Sequence, residues 1–163
     1  MTAIAVTGHL DLTEETLPLV RAALRALLAP HRRDGLTGLS CLAPGADTLF
    51  AEAVLAAGGR LVAVLPSARY PWRLTEPQRA DFERLAAAAD ETVTLAYPEP
   101  GPVAYRAANA ELLRRADLLV AVWDGCEGRG PGGTADMVAV ARRAGVPVEV
   151  VWPDGAARAT APV

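Results

Sequence analysis

The chain contains no lysine: all 16 Lys+Arg positions are arginine. That absence excludes Schiff-base chemistry and the clamp of a P-loop, so any phosphate must be held by backbone amides, hydroxyls and guanidinium groups. The bias, with abundant alanine, fits the codon usage of a GC-rich bacterial genome. Cysteine is almost as scarce. Cys41 and Cys126 lie far apart without metal-ligand spacing, no His/Cys/Asp/Glu cluster has the spacing of a zinc site, and no metal is expected. Aromatic residues make up 5% of the chain and the formal net charge is -3, which disfavours a protein whose main task is gripping a nucleic-acid backbone. One small cluster of Arg69, Tyr70, Trp72 and Arg73 is the exception. No apolar run reaches the roughly 18 residues of a membrane span, and no signal-like stretch opens the sequence. The cytoplasm is the expected compartment.

What is present is a chain of 163 residues, 52% hydrophobic, in which strand-length apolar runs alternate with segments of helical period. That alternation predicts an α/β fold: a Rossmann-like, doubly wound, mostly parallel sheet with helices on both faces. Strands are expected at Ala3 to Thr7, Leu36 to Leu42, Leu61 to Leu65, Thr92 to Ala96, Leu118 to Trp123 and Val148 to Trp152. The first helix is expected from Glu14, capped by Thr13, with Leu17, Val20, Leu24, Leu27 and Leu28 as its apolar stripe. Further helices follow from Asp47, Glu76, Val103 and Thr134. Residues 1–153 form one expected domain, and 154–163 a disordered tail.

Ligands of such a sheet collect where strands end and helices begin. Three of these loops carry glycine and short polar residues. Thr7-Gly8-His9 follows the first strand: glycine admits close approach of a ligand, and His9 can offer a hydrogen bond, although a tight strand exit explains the loop equally well. Ala43-Pro44-Gly45-Ala46-Asp47 opens the second helix, where backbone amides at the positive end of a dipole suit an anion. Asp47 either caps those amides or accepts from ribose hydroxyls. The third loop, Gly128-Arg129-Gly130-Pro131-Gly132-Gly133-Thr134, joins the most apolar strand to the last helix. Its amides, the Thr134 hydroxyl and Arg129 make it the best phosphate site of the three. It is neither a Walker A loop nor a G-x-G-x-x-G fingerprint, and no cofactor is expected.

Among the carboxylates, Asp117 belongs to the opposite end of the sheet, whereas Asp124 and Glu127 lie on the ligand side and Asp136 sits in the first turn of the last helix. If the protein is an enzyme, Asp136 and Glu127 are the candidate catalytic acids. Cys41 reads as a core residue and Cys126 as a loop thiol.

Together these motifs resemble the Smf/DprA and LOG superfamily, the SLOG domains. The resemblance runs over residues 3–152 and is carried by Ala43-Pro44-Gly45-Ala46-Asp47, Gly58-Gly59, the Val62 to Leu65 strand, Tyr70-Pro71, Asn109, Ala116-Asp117 and Gly132-Gly133-Thr134. It implies a nucleotide or nucleotide-derived ligand at the three loops, with Asn109 added to the ligand-binding set, and a homodimer assembled through helices. Members include cytokinin-type nucleoside 5'-monophosphate phosphoribohydrolases, single-stranded DNA binders and proposed nucleotide sensors. Two positions depart from the hydrolase pattern. Met137 stands where those enzymes carry a glutamate, and Leu10 where an arginine often follows the first loop. The resemblance therefore implies a binding module or sensor first, and a LOG-like phosphoribohydrolase or related N-glycosidic enzyme as the alternative.

Overall fold

The computed structural model describes residues 1–128 and 130–159. Six strands alternate with five α-helices: β1 (Thr2–Gly8), α1 (Thr16–Leu28), β2 (Leu36–Ser40), α2 (Ala46–Ala56), β3 (Arg60–Ser67), α3 (Glu76–Ala88), β4 (Glu91–Tyr97), α4 (Pro102–Arg115), β5 (Leu118–Val122), α5 (Thr134–Arg143) and β6 (Val148–Val151). All pairings are parallel, in the order β4-β3-β2-β1-β5-β6. The chain winds outward from β1 to β4, then crosses back to place β5 on the other side of β1. Connections from β1 and β5 thus leave the sheet on opposite faces, opening a crevice at their carboxyl ends.

Alternation along the strands sorts the core into two layers. Ile4 and Val6 of β1 pack with Val20, Leu24 and Leu28 of α1 and with Leu49, Phe50 and Val54 of α2, all buried. Ala5 points the other way, toward Ala108 and Leu112 of α4 and Met137 and Ala141 of α5. A third cluster places Phe82 and Leu85 of α3 beside α2 on Leu61, Ala63 and Leu65. At the amino edge of the sheet the Asp117 carboxylate accepts the Ala3 N–H at 2.8 Å, tying β5 to β1 far from the ligand side. Among the described residues no helix is long and apolar enough to cross a membrane.

Two expectations need correction. Thr13 does not cap α1 through its side chain; the helix starts at Thr16, and Thr13 supplies its carbonyl to the Thr16 and Leu17 amides at 3.0 and 3.3 Å. The reason is the second correction. The segment expected to be disordered is ordered through Ala159, with residues 160–163 outside the described set. After a turn closed by Ala156 N–H to Pro153 O at 2.9 Å, it runs antiparallel to the β1–α1 loop, with Leu12 bridging Arg158. The Thr16 hydroxyl accepts the Ala157 N–H at 2.8 Å, Thr13 N–H reaches Ala157 O at 3.2 Å, and Ala159 N–H reaches Asp11 O at 2.6 Å. A backbone ladder with the neighbouring β1–α1 loop holds residues 156–159 in place.

Candidate functional site

The crevice between the β1 and β5 exits is a cleft of about 560 Å³. Its floor is Val6, Thr7 and Ala108, and its walls come from the loops after β1, β2, β3 and β5, from α4 and from the start of α5.

The glycine-rich turn enters α5 directly. Gly132 takes φ +87°, and a Cβ there would lie 2.9 Å from Tyr105 Cβ, so only glycine lets the turn lie against α4. The turn is held from both sides: Asn109 Nδ2 donates to Gly132 O at 3.4 Å, and Gly132 N–H donates to Asp136 Oδ2 at 2.9 Å. Arg106 Nε stands 3.3 Å from the same carboxylate oxygen. Gly133 precedes the helix with φ -81°, and a Cβ there would meet nothing nearer than 3.7 Å. Gly132, Gly133, Thr134 and Ala135 line the cleft. The first amides of α5, which have no intrahelical acceptor, therefore start at the cleft wall, where the helix dipole favours an anion.

The β1 loop is built differently. A Cβ on Gly8 would stand 2.3 Å from Ala46 Cβ and 2.9 Å from Val122 Cβ, so this glycine lets β1 end under α2; its smallness serves packing. His9 is buried, meets Trp152 edge-on at 5.7 Å, and accepts the Asp124 N–H on Nε2 at 3.1 Å. Burial, followed by the positive charge of Arg158, holds its pKa below the ordinary value, with the Asp124 carboxylate opposing. Nε2 also stands 3.2 Å from Asp124 Oδ1, so the one imidazole nitrogen meets both the backbone and the carboxylate of Asp124. Burial works against the charge of Asp124, but the Cys126 N–H, His9 and Arg158 together keep its carboxyl below the usual range. His9 thus pins the β1 loop to the β5 loop across the switch point.

At the start of α2 the cleft receives Asp47, 7% exposed. Gly45 is the capping residue, and the Asp47 carboxylate instead accepts the Ala43 N–H at 3.3 Å. Burial pushes the carboxyl up to about 7. Cys41 and Tyr70 face the same space; burial first, and the Asp47 charge second, raise both above their ordinary values. The loop is stiff: Ser40 Oγ donates to Asp47 O at 3.2 Å and accepts the Leu42 N–H at 3.0 Å, holding Leu42 at φ +56°.

Of the residues expected to bind ligand, the cleft brings together Gly8, His9, Asp47, Asn109, Gly132, Gly133 and Thr134, and of the expected acids it takes Glu127. Asp124 stands behind His9, and Gly130 lies in the exposed part of the turn. Pro44 and Gly45 border a separate depression between α1 and α2, and Ala46 is wholly buried. These three therefore do not belong to the cleft lining. Gly45 takes φ +80°, and a Cβ there would stand 2.5 Å from His9 O and 2.8 Å from Leu10 O, so its backbone passes close to the β1 loop. Asp136 is spent on Gly132 and Arg106, and Met137 is 1% exposed in the core beneath α5. Arg129 lies outside the described residues.

The lining also includes Tyr70, which the sequence marked only within a small basic-aromatic cluster, and Tyr105, Trp123, Cys126, Asp11 and Arg158, which it did not mark as ligand-binding. Tyr105 was recoverable, since it lies four residues before Asn109 on one helix face. Arg158 carried no signal. Among the described residues no group of three His, Cys, Asp or Glu side chains is placed to hold a metal ion.

No protein-family model matches the chain, and no curated protein does. Solved structures do. DNA processing protein A from Streptococcus pneumoniae superposes with TM-score 0.67 at 18% identity, covering 95% of this chain and 52% of that one. DNA processing protein A from Helicobacter pylori, described for its single-stranded DNA binding mode, gives TM-score 0.67 at 16% identity over 94% of this chain and 66% of that one. The Moco carrier protein from Chlamydomonas reinhardtii gives TM-score 0.59 at 25% identity over 92% and 75%. The chain thus spans about half the length of the pneumococcal protein. Strand order and these superpositions agree: the chain has the SLOG-type Rossmann-like fold.

Proposed function

We propose that the protein binds a small phosphate-bearing ligand of nucleotide type in the cleft, with the phosphate at the start of α5. The observation that carries this reading is the Gly132-Gly133-Thr134 turn, anchored by Asn109 and Asp136 and opening at a helix N-terminus on the cleft. A dipole end with unshared amides, a hydroxyl at Thr134 and an open Gly133 suit a phosphate without any lysine. Tyr70, Tyr105 and Trp123 give the rest of the cleft aromatic surface for a planar ring. That one similar structure is a Moco carrier protein supports a carrier or sensor role on this fold. A glycosidase reading has less support, because Met137 faces the core and Asp136 is engaged, leaving Glu127 as its candidate acid.

The test is a thermal-shift panel of nucleoside monophosphates, their nucleosides, a pterin phosphate and a single-stranded oligonucleotide. A phosphate-bearing ligand at 100 times its Kd should raise Tm by about 5–10 °C. Gly133→Asp, which sets a carboxylate at the open position, should abolish the shift. A flat response across the panel would overturn the reading. A response to the oligonucleotide alone would replace it with DNA binding, and release of free base dependent on Glu127 would replace it with hydrolysis.

A further inference from the structure

The segment after β6 carries Arg158 to the cleft, beside the carboxylates of Asp11 and Asp124. Ala157 and Ala159 on either side of it are hydrogen-bonded to Thr13, Thr16 and Asp11, so the backbone at 158 is fixed. The side chain, 29% exposed, projects between two loops: Nε donates to Asp11 Oδ1 at 3.0 Å, and Nη1 stands 3.8 Å from Asp124 Oδ2, beyond hydrogen-bond reach. A guanidinium has five donors, and one hydrogen bond to Asp11 leaves several for a third group. Arg158 is the one arginine among the described residues that line the cleft, against the carboxyl groups of Asp11, Asp47 and Glu127. Among the described lining residues, an entering anion therefore finds a guanidinium counter-charge at Arg158 alone.

We propose that Arg158 is a ligand-contact residue: it supplies the side-chain cation that pairs with the phosphate of the ligand, and the segment 153–159 is part of the binding site. The proposal rests on the phosphate-binding reading above. It assigns Asp11 and Asp124 the task of aiming the guanidinium, each as a positioning residue, with the phosphate adding to the Asp11 contact rather than displacing it. Fixed backbone and a pre-oriented fork reduce the entropy lost on pairing with a planar set of anionic oxygens.

The experiment is calorimetric titration of the full chain with adenosine 5'-monophosphate and guanosine 5'-monophosphate, and with adenosine and guanosine as phosphate-free controls. Arg158→Gln should weaken the monophosphate at least tenfold, the scale of one charge-assisted hydrogen bond, while leaving the nucleoside within about twofold. Arg158→Lys should recover part of the loss, because it restores charge without the fork. Wild-type protein that binds monophosphate, with Arg158→Gln binding it equally well, overturns this inference and leaves the function reading standing. A lowered Tm of the ligand-free variant with an unchanged monophosphate-to-nucleoside ratio also overturns it, assigning Arg158 to holding the segment in place. Wild-type protein that binds neither monophosphate, with a flat response across the thermal-shift panel, overturns both readings.

Discussion

The packing of Gly8 beneath α2 can be tested quantitatively. A methyl group at this position would stand 2.3 Å from Ala46 Cβ, 2.9 Å from Val122 Cβ and 3.0 Å from Val122 O. All three neighbours are rigid: Ala46 is in the first turn of α2, and Val122 is the end of β5. Relief requires moving a helix off the sheet, which places Gly8→Ala at the upper end of overpacking costs, about 3 kcal/mol. For a chain of this size that is a fall in Tm of about 6–12 °C. Ala46→Gly removes the nearer obstacle at a cost of up to about 1 kcal/mol in helix propensity. In the double variant the two changes should therefore be non-additive by at least about 1 kcal/mol in the favourable direction. Calorimetry or urea titration of the four proteins reads the cycle, and Gly133→Ala, with open space at that Cβ, should stay within about 1 °C of wild type. A Gly8→Ala variant as stable as wild type, or an additive cycle, would refute the packing role and return Gly8 to ligand approach.

Further outcomes follow from the site. Asp47 has a folded pKa of about 7 against an ordinary 3.8, so the native state holds a proton that the unfolded chain has released between those values. Stability is then fully present below about pH 4 and falls as pH rises toward 7, by on the order of 4 kcal/mol. Asp47→Asn, which retains an acceptor for Ala43, should lose this slope and be the more stable protein above pH 7 by chemical denaturation; parallel pH profiles would refute the assignment. Asp136→Ala removes the acceptor of the Gly132 amide and the partner of Arg106. Monophosphate affinity measured by calorimetry should drop about fivefold to tenfold as the turn loosens, and an unchanged affinity would show that the turn needs no such anchor.

The sheet was legible because strand-length apolar runs, continuous in β3 and β5, alternate with helical periods, and the glycine turn before α5 because five glycines stand between a core strand and a helix. Other parts were legible only as composition. Pro44, Gly45 and Ala46 have the residue types of an anion loop, but direction depends on Gly45 resting against the His9 and Leu10 carbonyls, a contact between loops that are distant in sequence. Asp47 was visible as a site residue but not as a buried acid, since the cleft wall it shares with Tyr70 is brought together from separate loops. The return of residues 153–159 had no periodicity to announce it. Its ladder is read by the backbone, which is the same for every residue type, and so the side chains gave no sign of it.

The contact between Asp11 and Arg158 joins positions 147 residues apart. Closing so long a loop is rewarded only after the sheet between them exists, so the cleft becomes complete late in folding, when most of the stabilising burial has already been won. The reverse also holds. Among the described residues, two backbone hydrogen bonds, the Thr16 hydroxyl and the Arg158–Asp11 pair tie the segment to the β1–α1 loop, far less than secures a buried strand, and it is the part of the site that local opening releases first. The protein can therefore pass between a complete and an incomplete binding site with its sheet intact, and amide exchange at Ala157 and Ala159 will be faster than at Val120 or Ala5.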